Sequence, residues 1–318
     1  MTGIHIILAF CLDLLVGDPP RLPHPVRWIG RYAAMLEDRI RSRMSGRGVL
    51  GQRLAGCIAV FGVAGTAGGS VWMISLLLDA VFPPGRDLFV IWVLYSALAT
   101  RDLADHAFRV RAYLYENDLI GARQSVAMMV GRDTASMDAP EIARAAVESV
   151  GENMVDGVTA PLMAMLAFGP VGAMVYKAAS TMDSMFGYRN EKYGYFGWCA
   201  ARLDDLLTFL PARLTLPCVM VAAWILKYDA LGAARVVARD RKKHESPNSA
   251  WGEAAMAGGI NVTLGGPAAY GGISAQRPFI GNSENVLGPD AITRSVRLMR
   301  MTAVVCLAAG IFLRELAG

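Results

Sequence analysis

No charged residue interrupts the chain from Leu54 to Leu78. At about 1.5 Å per helical residue, that run crosses a hydrocarbon core of about 30 Å. It offers no polar stripe to water, which weighs against the alternative of a large soluble protein with buried helices. A second uncharged stretch, Gly157–Tyr176, is of near-spanning length, and shorter ones cover Met1–Leu12, Leu88–Thr100, Leu214–Leu226 and Met301–Leu313. The first has no basic start and runs through Asp13 into GDPPRLPHP rather than a small-residue cleavage site, so it reads as a retained membrane helix. The pattern predicts an all-α polytopic integral membrane protein. It is one domain over residues 1–318, with about four to six membrane segments, re-entrant ones among them, and sizeable cytoplasmic loops.

Breakers and caps divide the rest. Four prolines in seven residues (Pro19, Pro20, Pro23, Pro25) make GDPPRLPHPVRWIG irregular. Arg31 to Arg43 reads as an exposed helix ending near Ser45–Gly48. Pro83-Pro84-Gly85 turns the chain, and the helix returning from Leu88 meets no breaker before Glu116-Asn117-Asp118. Asp118 is placed to cap a helix through Met129 that Gly131 ends. Asp138-Ala139-Pro140-Glu141 is a helix start, with aspartate at the N-cap, proline in the first turn and glutamate at the third helical position. Pro161 and Gly169-Pro170 break Gly157–Tyr176, which either crosses with a kink or turns back; basic residues on both sides favour the re-entrant hairpin. Leu206–Leu226, interrupted by Pro211, Arg213 and Pro217, carries the same ambiguity. Lys227 to Arg297 is polar and glycine-rich, too long for an idle linker.

Composition sharpens this picture only in places. The chain is 54% hydrophobic and 18% charged, a modest shift from the roughly 25% charged of soluble domains. A net charge of +4 is too small to argue for nucleic acid as a partner. Arg27, Arg31, Arg39, Arg41, Arg43, Arg47 and Arg53 crowd the segment before the Leu54 helix. The positive-inside rule places that loop in the cytoplasm, and the same arginines suit an anionic lipid surface. The five cysteines show no pairing pattern and read as plain buried thiols.

Candidate chemistry gathers where polar loops meet apolar runs. In ESVGENMVDG, Glu148, Glu152 and Asp156 stand at i, i+4 and i+8, stacking three carboxylates on one helical face. Such an arrangement beside an apolar stretch needs compensation, either from neighbouring arginines or from Mg²⁺. Asn153 adds a neutral oxygen or a donor. Asp204-Asp205 forms a second acidic pair. Between the two lies KAASTMDSMFGYRNEKYGYFG, in which Lys177 and Asp183 are too far apart in sequence to be bound to touch. There Arg189 and Lys192 suit a phosphate, and Tyr188, Tyr193 and Tyr195 offer flat surface to a ring ligand, or all form a juxtamembrane belt. GRDT (Gly131–Thr134) and HESPNSAWGEAAMAGG (His244–Gly259) each lead into a helix start that suits an anion, with Ser246 or Asn248 as the cap of the second. GGPAAYGG (Gly265–Gly272) reads as a flexible loop. No G-x-x-x-x-G-K-[ST], G-x-G-x-x-G, H-E-x-x-H or G-x-S-x-G occurs.

These motifs, in this order, resemble the adenosylcobinamide-phosphate synthase family, membrane proteins named CbiB or CobD. The resemblance rests on DLLVGDPPRLPHPVRWIG, RDLADHA, GRDTASMDAPEIARAAVESVGENMVDGVTAPL, KAASTMDSMFGYRNEKYGYFGW, ARLDDLLTFLPAR and ESPNSAWGEAAMAGGINVTLGG, spanning Asp13 to about Gly272. It implies ATP-dependent joining of aminopropanol phosphate, or ethanolamine phosphate, to a carboxylate of adenosylcobyric acid in the cytoplasmic membrane. It also implies ATP and Mg²⁺ at the site, the corrinoid as substrate, and contact with other membrane enzymes of cobamide assembly.

Within the matched motifs, residue chemistry nominates Glu152, Asp156, Lys177 and Asp183 as catalytic. Glu148, Glu152 and Asp156 are the candidate Mg²⁺ ligands. Arg132, Arg189, Asn190, Lys192, Asp204, Asp205, Asn248 and Glu253 are the candidate substrate contacts. Two other classes stay open: a Mg²⁺-dependent membrane prenyltransferase using ENMVD and ARLDD, and a non-enzymatic membrane sensor or transporter.

Overall fold

Among the described residues, an aspartate side chain caps the starts of three helices. Asp118 accepts from the Gly121 N–H at 2.9 Å, and Asp229 from the Gly232 N–H at 2.6 Å. Asp138 and Glu141 close the expected capping box, each carboxylate accepting the other residue's N–H (2.8 and 2.9 Å). The computed structural model describes residues 2–19, 23–44, 48–188, 190–244, 246–281 and 285–317. Among these the chain runs through α1 (Gly3–Val16), α2 (Pro25–Met44), α3 (Gly48–Val81), α4 (Pro83–Ala97), α5 (Thr100–Tyr115), α6 (Leu119–Ala127) and α7 (Ala139–Met154). A π-helical turn (Val155–Thr159) follows, then α8 (Ala160–Phe186), α9 (Trp198–Ile225), α10 (Ala230–Asp240) and α11 (Ser249–Ile260). An antiparallel hairpin of β1 (Leu264–Tyr270) and β2 (Ile273–Ile280) precedes α12 (Pro289–Ala317). Four helical stretches are long and apolar enough to cross a membrane: Gly48–Val81, Ala139–Phe186, Trp198–Ile225 and Pro289–Leu316. The chain is therefore a helical polytopic membrane protein, with α1 as a shorter apolar helix.

Several local expectations are corrected. Helix α2 begins at Pro25, since a proline at a helix start has no N–H to lose, so the irregular segment is shorter than the proline count suggested. The helix returning from the Pro83 turn does not run on to Tyr115. Leu98 is extended (φ −93°, ψ 154°), separating α4 from α5, and no proline or glycine marks the break. Pro161 is absorbed into helix, and the interruption falls at Gly169 (φ 67°, ψ −158°), just ahead of Pro170. Pro211 and Pro217 both lie inside α9. Near them the Arg213 guanidinium donates to the Phe209 carbonyl (2.6 Å) and the Thr215 hydroxyl to that of Pro211 (2.8 Å). The supposed flexible loop GGPAAYGG is most of β1 and the turn of a β-hairpin. Gly271 and Gly272, at φ 57° and 79°, make its two-residue turn, and the otherwise helical fold gains a two-stranded sheet.

The chain divides into two compact units. One comprises Met1–Ala99, Pro161–Thr208 and Gly310–Gly318. Its core is rich in small residues, Ala33, Ala55, Ala59 and Ala178 among them, closed by Met182, Phe186 and Phe196. The other comprises Thr100–Ala160 and Phe209–Ala309. There α11 approaches its neighbours through glycine. A Cβ on Gly252 would lie 2.3 Å from the Gly151 carbonyl oxygen of α7, and one on Gly258 2.2 Å from that of Gly232 in α10.

Gly252→Ala therefore forces backbone apart and should destabilise the detergent-solubilised protein by roughly 1–3 kcal/mol, the usual cost of overpacking. Gly69→Ala, whose Cβ meets nothing within 4 Å, should be neutral or slightly stabilising. Thermal unfolding of the two variants checks this; equal transitions would mean that α7 and α11 do not meet at this spacing.

Candidate functional site

The capping box at Asp138 sets the start of α7, and three turns later the helix delivers Glu148 into the interior of its unit, its side chain 3% exposed. Three chain segments neutralise it. Arg132, from the GRDT loop, donates Nη2 to Oε2 at 2.5 Å. Arg277, on β2, donates Nη1 to the same oxygen at 3.1 Å, and the Gly265 N–H of β1 donates to Oε1 at 2.6 Å. Arg144, one helical turn before Glu148, stands 3.9 Å away. Of the two compensations that the sequence left open for this acid, the structure uses arginine.

Arg277 is shared. Its Nη2 donates to Glu253 Oε1 at 3.2 Å, bringing the α11 glutamate into the same cluster. Glu253 is fully buried, and its other oxygen, Oε2, has no hydrogen-bond partner among the described residues. Burial, reinforced by the charges of Glu152 and Glu148 and opposed by Arg277, pushes its carboxyl up to about 8. Arg277 in turn is held above its ordinary range: burial works against its charge, but Glu253 and Glu148 outweigh that. These side chains, with Glu152, Ser149 and Tyr270, line a cavity of about 130 Å³.

The hairpin that carries Arg277 is tied down at its tip. The Asp133 N–H donates to the Ala269 carbonyl (2.8 Å), and its carboxylate accepts from the Gly272 N–H (2.6 Å). The GRDT motif thus clamps a hairpin rather than opening a helix. Arg277, Arg144, Tyr270 and Gly265 were missed from the sequence. The available signal was the Gly271-Gly272 pair between AAY and ISAQR, a hairpin pattern that would have placed Arg277 on a strand.

Not every nominated residue joins this site. Glu148, Glu152, Arg132 and Glu253 meet here. Asn248 belongs to the same unit, but its Oδ1 accepts from Arg213 Nη1 (3.0 Å) and it makes no side-chain cap for α11. Arg213 lies over Phe209 and Trp251. Asp156 falls in the π-helical turn, where the i+4 stacking that would align it with Glu152 ends. Asn153 turns its amide back to the Ser149 carbonyl (2.9 Å). The oxygens of Glu148 are taken by arginines and a backbone N–H, and no group of three His, Cys, Asp or Glu among the described residues is arranged to hold a metal. The expected Mg²⁺ triad of Glu148, Glu152 and Asp156 does not fit this donor arrangement.

The other unit holds Lys177 and Asp183 on α8 and Asp204 and Asp205 on α9. Asp183 and Asp205 both act electrostatically on Asp204, so these acids form a second cluster that the sequence showed only as separate motifs. In the loop between the two helices, Asn190 Oδ1 accepts from the Tyr193 N–H (2.8 Å), a local turn contact. Lys192 pairs with Glu37 of α2 (3.2 Å), and the Tyr193 ring lies tilted against that of Phe186. Tyr188 and Tyr195 remain exposed. Arg189 lies outside the described residues.

Comparison with known proteins settles the lineage. A family model described as CobD/Cbib protein matches residues 6–299. The chain belongs to the CobD/CbiB family. The cobalamin biosynthesis protein CobD of Klebsiella pneumoniae is 40% identical over 314 residues, covering 99% of this chain and 98% of that protein. The cobalamin biosynthesis protein CbiB of Salmonella typhi is 39% identical over 308 residues, 97% and 96% of the two chains. CobD of Photorhabdus laumondii is 40% identical over 318 residues, 99% and 98% of the two. No solved structure matches. In this CobD/CbiB chain the Glu148 cluster is built from the GRDT, ESVGEN and NSAWGEAA motifs together with the hairpin.

Arg132→Ala removes one of the two guanidinium groups hydrogen-bonded to Glu148 and should cost about 1.5–3 kcal/mol, the worth of a hydrogen bond to a charged group; adding Glu148→Ala should restore part of it, as a double-mutant cycle on thermal unfolding would measure. Simple additivity of the two losses would show that the pair is not coupled.

Proposed function

We propose that this protein acts in cobalamin biosynthesis as a membrane-bound amide synthase, joining aminopropanol phosphate or ethanolamine phosphate to a carboxylate of adenosylcobyric acid at the expense of ATP. The observation that carries the reading is the buried Arg132–Glu148–Arg277–Glu253 cluster, built from motifs of a family whose named members are cobalamin biosynthesis proteins. In such a reaction a corrinoid carboxylate oxygen takes the terminal phosphoryl group of ATP, releasing ADP. The amine nitrogen then attacks the acyl carbon, and the carbon–oxygen bond to phosphate breaks. Guanidinium groups held in place by carboxylates suit that chemistry. They meet phosphoryl charge without reorganising, in surroundings where water screens little.

Purified protein given ATP, adenosylcobyric acid and aminopropanol phosphate should form one amide per ADP, detected by mass. Arg277→Ala should lower kcat/KM by ten- to a hundredfold, matching the loss of a charge-assisted contact worth about 1.5–3 kcal/mol. Wild-type protein that makes no amide under these conditions would overturn the reading.

The same proposal places the chain as a multi-pass protein of the cytoplasmic membrane, with its arginine-rich segment and motif loops inside. Arg41 of α2 donates to the Lys192 carbonyl at 2.7 Å, which supports a common side for α2 and the loop after α8. Single cysteines at Arg43 and Tyr188, in a cysteine-free background, should react with a membrane-impermeant maleimide only in inside-out vesicles. Labelling from opposite faces would refute a shared side.

A further inference from the structure

Where α5 meets α12, three arginines stand without a carboxylate. Arg111 of α5 and Arg300 of α12 lie over the same Phe108 ring, their guanidinium carbons 4.6 and 5.5 Å from its centre. The Nε of each is buried without a hydrogen-bond partner. Arg111 donates Nη1 to the Thr293 hydroxyl (3.1 Å), whereas Arg300 makes no hydrogen bond or ion pair among the described residues. Arg297, one turn earlier in α12, is exposed and also has no ion pair among them. The acids of the two helices are engaged elsewhere. Asp290 accepts from the Tyr115 hydroxyl (2.6 Å), Asp105 pairs with Arg101 (2.9 Å) and Asp102 stands 3.6 Å from His106. Glu116, just past the end of α5, is exposed and reaches none of the three arginines.

Two guanidinium groups that share one ring repel each other, and the ring's own attraction for a cation offsets only part of that. An anion brought from outside resolves the conflict, and guanidinium matches phosphate in particular, because its fork meets two oxygens at once. The surroundings say where such a phosphate comes from. Arg300 is the last charge before the uncharged run Met301–Leu313, within a helix long and apolar enough to span a membrane. Below Arg297 the outward edge of α12 continues apolar: Met301 is half-buried, and Val304 and Ala308 are exposed. Cations at the head of an exposed apolar stripe match a lipid, whose charge and tails are arranged in the same order.

We infer that Arg111, Arg297 and Arg300 form a binding site for the phosphate of an anionic phospholipid, with its acyl chains lying along the Met301, Val304 and Ala308 edge of α12. None of these residues belongs to the Glu148 cluster. The bound headgroup fixes the depth of α12 and, through Arg111, holds α5 against it.

The test is native mass spectrometry of the full-length, detergent-purified chain, titrated with phosphatidylglycerol or with phosphatidylcholine of the same acyl chains. The wild type should hold one phosphatidylglycerol about tenfold more tightly than phosphatidylcholine. Arg111→Gln and Arg300→Gln should each remove most of that preference. Arg300→Lys should keep part of it, since lysine retains the charge without the fork. Arg111 and Arg300 are half-buried, and replacing them can loosen the contact between α5 and α12. The exposed Arg297→Gln therefore carries the same test, with thermal unfolding measured for every variant. Arg235→Gln removes an exposed arginine of the same unit that already pairs with Asp229, and should leave the preference unchanged. Excess inorganic phosphate should not displace the lipid. Equal retention of the two lipids by the wild type, a preference that survives in Arg297→Gln, or an equal loss in Arg235→Gln would overturn the inference. Displacement by inorganic phosphate would also overturn it, in favour of a soluble phosphate as the occupant.

Discussion

A carboxylate that must live out of water organises half of this molecule. Glu148 is tolerable inside its unit only because Arg132, Arg277 and the Gly265 N–H surround it, and those groups come from three separate segments. The same solution recurs along the hairpin. Asp240 is fully buried yet held well below the usual carboxylate range. Burial works against its charge, but Arg239, Lys243 and the Gly281 N–H outweigh that. Gly265 at the start of the hairpin, Gly272 at its tip and Gly281 just beyond its end each donate an N–H to an acid: Glu148, Asp133 and Asp240. All three glycines have positive φ, a backbone turn that aims the N–H away from the ladder. The two strands are fastened by carboxylates at both ends and at the turn.

Close helix packing makes this arrangement possible. Gly151 against Gly252 and Gly232 against Gly258 bring backbones together at distances that a methyl group would prevent. Glu253 follows Gly252 directly, so the contact that seats α11 on α7 also fixes how near its carboxyl comes to Glu148 and Glu152. The site is therefore defined by helix spacing as much as by its charges.

What could be read in the sequence was what local physics controls. The uncharged run from Leu54 became α3, and Asp118 and Asp138 capped the helices they were expected to cap. Proline was a poorer guide: Pro211 and Pro217 both sit inside α9, as prolines are tolerated within membrane-spanning helices. The break at Leu98 carries no local signal at all. For the site, the sequence named Arg132, Glu148, Glu152 and Glu253 but grouped them wrongly. It aligned Glu148 with Asp156 through helix periodicity, whereas tertiary contacts align it with Arg277, 129 positions away. Periodicity reports neighbours on one helix and says nothing of a strand that arrives from elsewhere. Arg277 was overlooked because the glycines around it were read as slack when they form a turn and two bends.

The hairpin also acts as a ruler. Its register slips once, between Leu264 paired with Ile280 and Gly266 paired with Arg277, and from there the pairing is regular to the Tyr270–Ile273 turn. Strand side chains alternate faces, so adding or removing a single residue between Gly266 and Arg277 would turn the guanidinium to the opposite face. Both of its carboxylates would then be left buried without it. The length of this segment is thus fixed by parity: its composition can drift, but its residue count cannot change by one without taking one of the two guanidinium groups out of the cavity wall.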